Sequence, residues 1–196
     1  MIAVIDYDMG NLRSLENALG RLGAECIVTD DPGTILRADR VILPGVGHVG
    51  EAMKNLRQRN LPGVIRSLRQ PVLGICVGMQ SLCRESEEAP GVPCMGIFDT
   101  RVHRFTPDSG LKVPHMGWNQ LGNAEGKLLK GIEPQAYVYF VHSYYADLCT
   151  DTAATCRYGD VMFSAVLKYE NFYGTQFHPE KSGSVGERIL QNFLSL

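Results

Sequence analysis

The sequence predicts an α/β protein with a doubly wound mixed β-sheet flanked by helices, parallel in its N-terminal half and partly antiparallel in its C-terminal half. Three observations carry that expectation. From Ile2 to Arg84, short apolar runs alternate with segments of helical period, the pattern of βα units whose strands pair in parallel. From Gly96 onward, strand-like runs follow one another across Gly, Asp and Asn turns, so part of that half pairs antiparallel. The chain has 196 residues, 44% of them hydrophobic and 20% charged, which suits one globular domain over residues 1–196 with a sizeable core.

The elements follow in order. Ile2 to Asp6 is an apolar strand with a polar end. Asn11 caps a helix whose apolar positions Leu12, Leu15, Leu19 and Leu22 recur at helical spacing, and Gly23 stops it. Ala24 to Thr29 is a second strand, followed by turn chemistry at Asp30-Asp31-Pro32-Gly33. Arg40 to Leu43 is a third strand, closed by Pro44-Gly45. Helices are predicted over Gly50 to Arg59 and Pro62 to Leu68, then a strand over Pro71 to Ile75 and a helix over Gly78 to Arg84. The second half is read as strands at Gly96 to Phe105, Tyr137 to Ser143, Thr152 to Tyr158, Val161 to Tyr169 and Phe172 to Phe177, with a closing helix from Ser184 to Leu194.

The bulk numbers exclude several classes. A formal net charge of −2 with scattered Lys and Arg does not favour nucleic acid or an anionic membrane. The basic stretch from Lys54 to Arg69 is interleaved with Leu56, Leu61, Val64, Ile65 and Leu68, as on the solvated side of helices. No apolar run reaches the ~20 residues of a membrane span. The start of the chain lacks a basic leader and a small-residue cleavage site, so a soluble cytoplasmic protein is expected. Six cysteines without a Cys-x-x-Cys pair argue against a structural zinc site, and in a reducing compartment against disulfides. No metal and no organic cofactor is expected.

The segment Pro71-Val72-Leu73-Gly74-Ile75-Cys76-Val77-Gly78-Met79-Gln80 is the most informative. An apolar strand, Gly-x-Cys-x-Gly and a helix-compatible run make the elbow that carries nucleophiles on α/β sheets. A cysteine there sits at a helix N-terminus, whose dipole favours a thiolate. The elbow also aims the Val77 N–H at a carbonyl under attack. By itself a cysteine beside glycines is as readily a small buried packing residue.

A thiolate nucleophile needs a base that later protonates the leaving group. Of His48, His103, His115, His142 and His178, the last stands at the end of a strand-like run, before Pro179 and Glu180. Glu180 is placed to orient the imidazole, as a triad acid does. The segment Val41-Ile42-Leu43-Pro44-Gly45-Val46-Gly47-His48 runs a strand into two glycines, a loop able to turn a backbone N–H toward a ligand. With the Val77 N–H it would form an oxyanion hole at the carboxyl ends of neighbouring strands.

Pro-Gly-Val-Gly at 44–47, Gly-Ile-Cys-Val-Gly-Met-Gln at 74–80 and His-Pro-Glu at 178–180, in this order, resemble the class I, triad-type glutamine amidotransferases over nearly the whole chain. Asp6 to Leu12, Pro114-His115-Met116-Gly117-Trp118-Asn119, Tyr139 to Tyr145 and His178 to Ser182 resemble the glutaminase subunits of that class that dock on a cyclase in histidine biosynthesis. The resemblance implies a triad of Cys76, His178 and Glu180. It implies an oxyanion hole at Val46 and Val77, completed by a peptide flip on activation. It implies a glutamine pocket with Gly47, Gln80, Ser143 and Tyr144. Asn11, Met116, Trp118 and Lys181 would lie at the interface with a partner, a (β/α)₈-barrel cyclase subunit. Asp8 stands where these proteins usually have Gly, and Val49 where Phe is frequent.

A partner also follows from chemistry. Ammonia released into neutral water becomes mostly ammonium, which is not a nucleophile, so a docked synthase and a dry passage are implied. Other readings are the glutaminase subunit of another synthase, such as pyridoxal phosphate synthase, a silent regulatory subunit, or a cysteine hydrolase on a similar sheet. The loop at 44–48 and the segment at 114–119 speak against the first, and the intact Cys76, His178 and Glu180 against the second.

Overall fold

A computed structural model of the chain describes residues 1–106 and 111–196. The first half runs β1 (Ile2–Ile5), α1 (Leu12–Arg21), β2 (Cys26–Thr29), α2 (Pro32–Arg37), β3 (Arg40–Leu43), α3 (Val49–Gln58), α4 (Leu61–Ser67), β4 (Val72–Ile75) and α5 (Val77–Leu82). The second half runs β5 (Glu85–Ser86), β6 (Arg101–Arg104), β7 (His115–Gln120), β8 (Tyr137–His142), β9 (Tyr144–Ala146), β10 (Thr152–Tyr158), β11 (Val161–Tyr169), β12 (Phe172–Thr175) and α6 (Gly183–Leu194).

Seven strands form the main sheet in the order β10-β11-β12-β4-β3-β1-β2. The five from β12 to β2 are parallel, while β10 and β11 extend the sheet antiparallel. Every residue of β1, β4 and β12 is buried, as expected for central strands covered on both faces. β2, at the edge, is only partly covered. Helix α1 packs Leu15, Ala18 and Leu19 inward, and each such leucine contributes about 1.5–3 kcal/mol by leaving water. Asn11 caps that helix through its side chain, which accepts from the Ser14 N–H at 3.3 Å.

Several expectations require correction. The turn foreseen at Asp30–Gly33 opens into α2, because Asp31 accepts from the Thr34 N–H at 2.7 Å and Pro32 suits a first helical position. The strand foreseen from Gly96 to Phe105 shrinks to Arg101–Arg104. Gly96 has φ +64°, outside strand geometry, and Ile97 and Phe98 both donate to the Leu82 carbonyl instead of a ladder. The short strands β5, β7 and β9 were not foreseen. They belong to two small sheets beside the main one, β5-β6-β9 and β7-β8.

β3 and β4 are neighbours, so the loops leaving them lie side by side. Their packing is extremely close. A Cβ on Gly78 would lie 2.0 Å from the Leu43 carbonyl oxygen, and one on Gly45 would lie 2.4 Å from the Gly78 nitrogen. Both contacts are with backbone, which has no rotamer to yield. Gly78→Ala should therefore cost about 3 kcal/mol or more of stability, measured by urea unfolding, through overpacking; an unchanged midpoint would contradict this geometry.

Candidate active site

The site is assembled at the carboxyl ends of β3, β4 and β12, where ligands bind in open α/β sheets. Cys76 follows β4 directly and caps α5 with φ 53° and ψ −111°, a conformation that non-glycine residues rarely hold. It is pinned from both sides: its N–H donates to the Thr175 carbonyl at 2.7 Å, and its own carbonyl accepts from Gln80 N–H at 3.0 Å. The strained elbow foreseen from Gly-x-Cys-x-Gly is thus present in the backbone.

His178 lies three residues beyond β12. Its N–H donates to the Tyr139 carbonyl at 3.0 Å, and its carbonyl accepts from Ser182 Oγ at 2.7 Å. Its side chain is nearly fully buried and within hydrogen-bonding reach of Cys76. Nδ1 meets Glu180 Oε1 at 2.8 Å, the orienting contact expected of a triad acid. Burial, the largest influence on the imidazole, opposes its protonation. It is outweighed by hydrogen bonds and charge attraction from Cys76 and Glu180, and the pKa rises to about 10. The arrangement thus favours an imidazolium held between the Cys76 sulfur and the Glu180 carboxyl. The Glu180 side chain is buried, its Oε2 has no hydrogen-bond partner among the described residues, and a void of about 10 Å³ lies between it, Asn11 and Val46.

Cys76 and His178 open on a cavity of about 150 Å³ whose wall also includes Val46, Gly47, Val77, Gln80, Ser143 and Tyr144. The expected oxyanion-hole and glutamine-pocket residues therefore line one crevice with Cys76 and His178, while Glu180 stands behind the imidazole. Val77 opens α5, where first-turn N–H groups have no acceptor within the helix. Gly47 has φ +91°, so the loop uses glycine's freedom where it passes the cavity. Gln80 is buried deeper: its Nε2 donates to the Tyr144 carbonyl and to Gln176 Oε1, both at 3.0 Å. Larger clefts exist, such as one of about 530 Å³ along Glu125, Lys127, Asp151 and Lys168, but that one has neither cysteine nor histidine in its walls.

The sequence reading gave no site role to three residues near the sulfur, of which Glu88 and Val141 line the cavity and Gln176 lies behind it. Glu88 brings the cavity's carboxylate, with Oε2 accepting from the Val49 N–H at 2.7 Å. Gln176 places Nε2 3.7 Å from Cys76 Sγ. The Val141 carbonyl lies 3.9 Å from the same sulfur. Glu88 sits in an acidic run, Glu85-Ser86-Glu87-Glu88, where no spacing distinguishes it from its neighbours.

The remaining candidates divide. Met116 and Trp118 are 62% and 55% exposed, so Trp118 is not a core residue; its ring meets Tyr139 edge-on at 5.9 Å. Lys181 is exposed at the end of the turn holding Glu180. Asn11 adjoins the void beside Glu180. Asp8 has φ 61°, a left-handed conformation that Asp tolerates better than most residues, and pairs with Arg59 at 2.5 Å. Val49 is buried. Of the other histidines, His48 caps α3, and His103 bridges Glu87 and Asp147 at the surface. Cys94 and Cys156 have thiols pushed up by burial, to about 11 and about 12, as suits inert packing residues. Among the described residues no group of three or more His, Cys, Asp or Glu side chains is placed to hold a metal ion. No helix among them is long and apolar enough to cross a membrane.

The raised pKa of His178 carries a sign. Its proton is bound more tightly in the folded chain than at the ordinary value of 6.5. Its contribution to stability is complete below that value and is lost as pH climbs toward about 10. Glu180→Gln should lower the His178 pKa and flatten that part of the stability profile, as read by NMR titration and by unfolding between these limits. An unmoved pKa would mean that Glu180 does not hold the imidazolium.

The chain matches the family described as glutamine amidotransferase class-I over residues 3–196. It is 52% identical to the imidazole glycerol phosphate synthase subunit HisH of Bacteroides thetaiotaomicron, across all of this chain and 99% of that one. It is 47% identical to the HisH subunit of Escherichia coli K12, with the same coverage. Among solved structures it resembles a glutamine amidotransferase with a TM-score of 0.75, 21% identity, and coverage of 100% and 98% of the two chains. It also resembles a glutamine amidotransferase from Thermotoga maritima, with a TM-score of 0.65, 18% identity, and coverage of 99% and 82%. The structural matches speak for the fold alone. With a family match over nearly its full length and half of its residues shared with HisH subunits, the chain belongs to the class-I glutamine amidotransferases, in the branch of the glutaminase subunits of imidazole glycerol phosphate synthase.

Proposed function

We propose that this chain, as a single glutamine amidotransferase domain over residues 1–196, hydrolyses glutamine and delivers ammonia to the synthase subunit of imidazole glycerol phosphate synthase in histidine biosynthesis. The observation that carries the reading is the buried Cys76–His178–Glu180 constellation at the mouth of a cavity sized for a small amino acid.

The chemistry follows from that geometry. The Cys76 thiolate attacks the side-chain amide carbon of glutamine. The negative charge that develops on the amide oxygen is received by the Val77 N–H and by a donor from the loop at Val46, as in an oxyanion hole. His178, already protonated, passes its proton to the departing nitrogen, so the C–N bond breaks with release of ammonia and a thioester remains. The imidazole then takes a proton from water as the oxygen attacks the thioester. Glutamate leaves and the thiolate–imidazolium pair is restored. Glu180 keeps the imidazole in one orientation throughout. Gly47, Gln80, Ser143 and Tyr144 shape the pocket. Glu88, whose carboxylate reaches its wall, receives the substrate's ammonium group.

The partner is a (β/α)₈-barrel cyclase subunit, which converts a phosphoribulosyl formimino precursor and ammonia to imidazole glycerol phosphate and the aminoimidazole carboxamide ribonucleotide. Exposed Met116 and Trp118 supply an apolar anchor for it, since tryptophan is enriched among binding hot spots. Asn11 and Lys181 flank the same docking face, and a peptide flip at Val46, triggered by substrate on the partner, completes the oxyanion hole. A cytoplasmic setting fits this biosynthetic role. No metal or organic cofactor enters the scheme.

Cys76→Ala should abolish glutamine-dependent synthesis by the complex while ammonia-dependent synthesis persists; loss of both would make Cys76 structural. Glutamine turnover by the chain alone should be low and should rise when cyclase and its nucleotide are added. Full activity of the isolated chain would refute gating by the partner. Glu88→Gln should raise KM for glutamine by roughly tenfold or more, the equivalent of a hydrogen bond to a charged group, with a smaller change in kcat, checked by steady-state kinetics of the complex.

A further inference from the structure

A pair of buried histidines that the scheme above does not use begins in the cavity wall at His142 and runs away from it to His115. His142 Nε2 meets His115 Nδ1 at 2.9 Å. His142 Nδ1 lies 2.7 Å from the Tyr144 carbonyl, and His115 Nε2 lies 3.2 Å from Asn119 Nδ2. The same Asn119 nitrogen donates to the Arg157 carbonyl at 2.9 Å, while Asn119 Oδ1 accepts from the Gln120 N–H at 2.8 Å.

These contacts fix every proton. The Gln120 N–H sets the Asn119 amide, so Nδ2 faces His115 as a donor and His115 Nε2 must be bare. The neutral ring then carries its proton on Nδ1 and donates to His142 Nε2. His142 must in turn be protonated on Nδ1, which faces a carbonyl that can only accept. The inference from the Asn119 end and the inference from the Tyr144 end agree. A second proton on either ring would set two N–H groups face to face in a buried site. Burial, together with the neighbouring His178 charge in the case of His142, holds the pKa of His115 at about 4 and of His142 at about 3, so both rings are neutral near pH 7. Neither ring can swing. His115 is stacked between Phe140 at 4.8 Å and Tyr158 at 4.0 Å.

We propose that Asn119, His115 and His142 form a one-way hydrogen-bond relay that positions the Tyr144 carbonyl, and with it the Gln80 side of the glutamine pocket, from the strand that faces the partner. Tyr144 O accepts from both His142 Nδ1 and Gln80 Nε2, so the relay ends on the pocket wall itself. Its other end stands on β7, which alternates by residue: His115 and Asn119 turn inward, while Met116 and Trp118 are exposed. Pressure on the outer face of β7 therefore bears on the strand that carries the relay. These are positioning residues, and the inference rests on the glutaminase reading above.

Two measurements test it. NMR of the intact chain with ¹⁵N-labelled histidine should show His115 and His142 as neutral Nδ1–H tautomers near pH 7. An Nε2–H tautomer or an imidazolium at either ring would overturn the relay, whatever the chain catalyses. Asn119→Asp replaces the outer donor with an acceptor and should add a proton at His115 Nε2 while Nδ1–H still faces His142; a His115 that stays a neutral Nδ1–H tautomer would count against directionality. In the complex with its cyclase, His115→Phe keeps a flat ring between Phe140 and Tyr158 but removes both nitrogens. KM for glutamine should rise about tenfold, as for loss of one buried hydrogen bond, with kcat within about twofold and ammonia-dependent synthesis retained. Asn119→Ala, at a half-buried position, should give a smaller rise in the same direction and serves if the phenylalanine variant does not fold. An unaltered KM in a folded variant would refute the positioning role while leaving glutamine hydrolysis by the unaltered complex intact. Absence of that hydrolysis would instead refute the function.

Discussion

The structure depends on one close approach: the end of β3 lies directly against the first turn of α5. Leu43 O, Gly45 and Gly78 are packed backbone to backbone, at distances that exclude any side chain. That contact brings the two loops of the site together. It sets the Cys76 elbow beside the Val46–Gly47 loop, so Cys76, Val77 and that loop face the same cavity. Central strands buried on both faces keep the approach rigid, because neither β4 nor β12 can shift without disturbing the core on both sides of the sheet.

Around this contact the charges are arranged to sustain a buried ion pair. His178 is nearly inaccessible to water, which by itself would favour the neutral ring. The Cys76 thiol and the Glu180 carboxylate reverse that preference. A few residues away, His142 and His115 have no anionic partner, and burial keeps them neutral. The same residue type thus does opposite work within one site, and the presence or absence of an adjacent anion decides which. In the proposed scheme the charged histidine moves protons, whereas the neutral pair holds them still as a fixed frame.

The second small sheet, β7-β8, connects these parts. β8 supplies the Tyr139 carbonyl that holds His178 and the Val141 carbonyl near Cys76. β7 pairs with β8 residue by residue and turns Met116 and Trp118 outward. The exposed Met116 and Trp118 are therefore one strand removed from the Cys76 sulfur, a short path by which contact on that face would reach the cavity without movement of the main sheet.

Much of this was legible in the letters. Helix periods, the Asn11 cap, the strand at Arg40–Leu43 and the elbow around Cys76 were readable because each depends on neighbours in sequence. Cys76, His178 and Glu180 could be picked out as candidates because they lie in short motifs with few alternative meanings, and the fold brings them together. The misread parts have a common cause. Gly96 adopts a left-handed turn where a strand was expected, and β7 becomes a strand only because β8 lies beside it to receive its hydrogen bonds. Glu88 reaches the cavity, and Gln176 the Cys76 sulfur, through folds of the chain that no local spacing announces. The order of residues was enough to say which of them could do chemistry and where helices and central strands would form, since propensity, capping and periodicity act over a few residues. It took the folded chain to settle which side chains meet, which histidine is charged and which are neutral, because burial and electrostatic partnership join residues far apart in sequence.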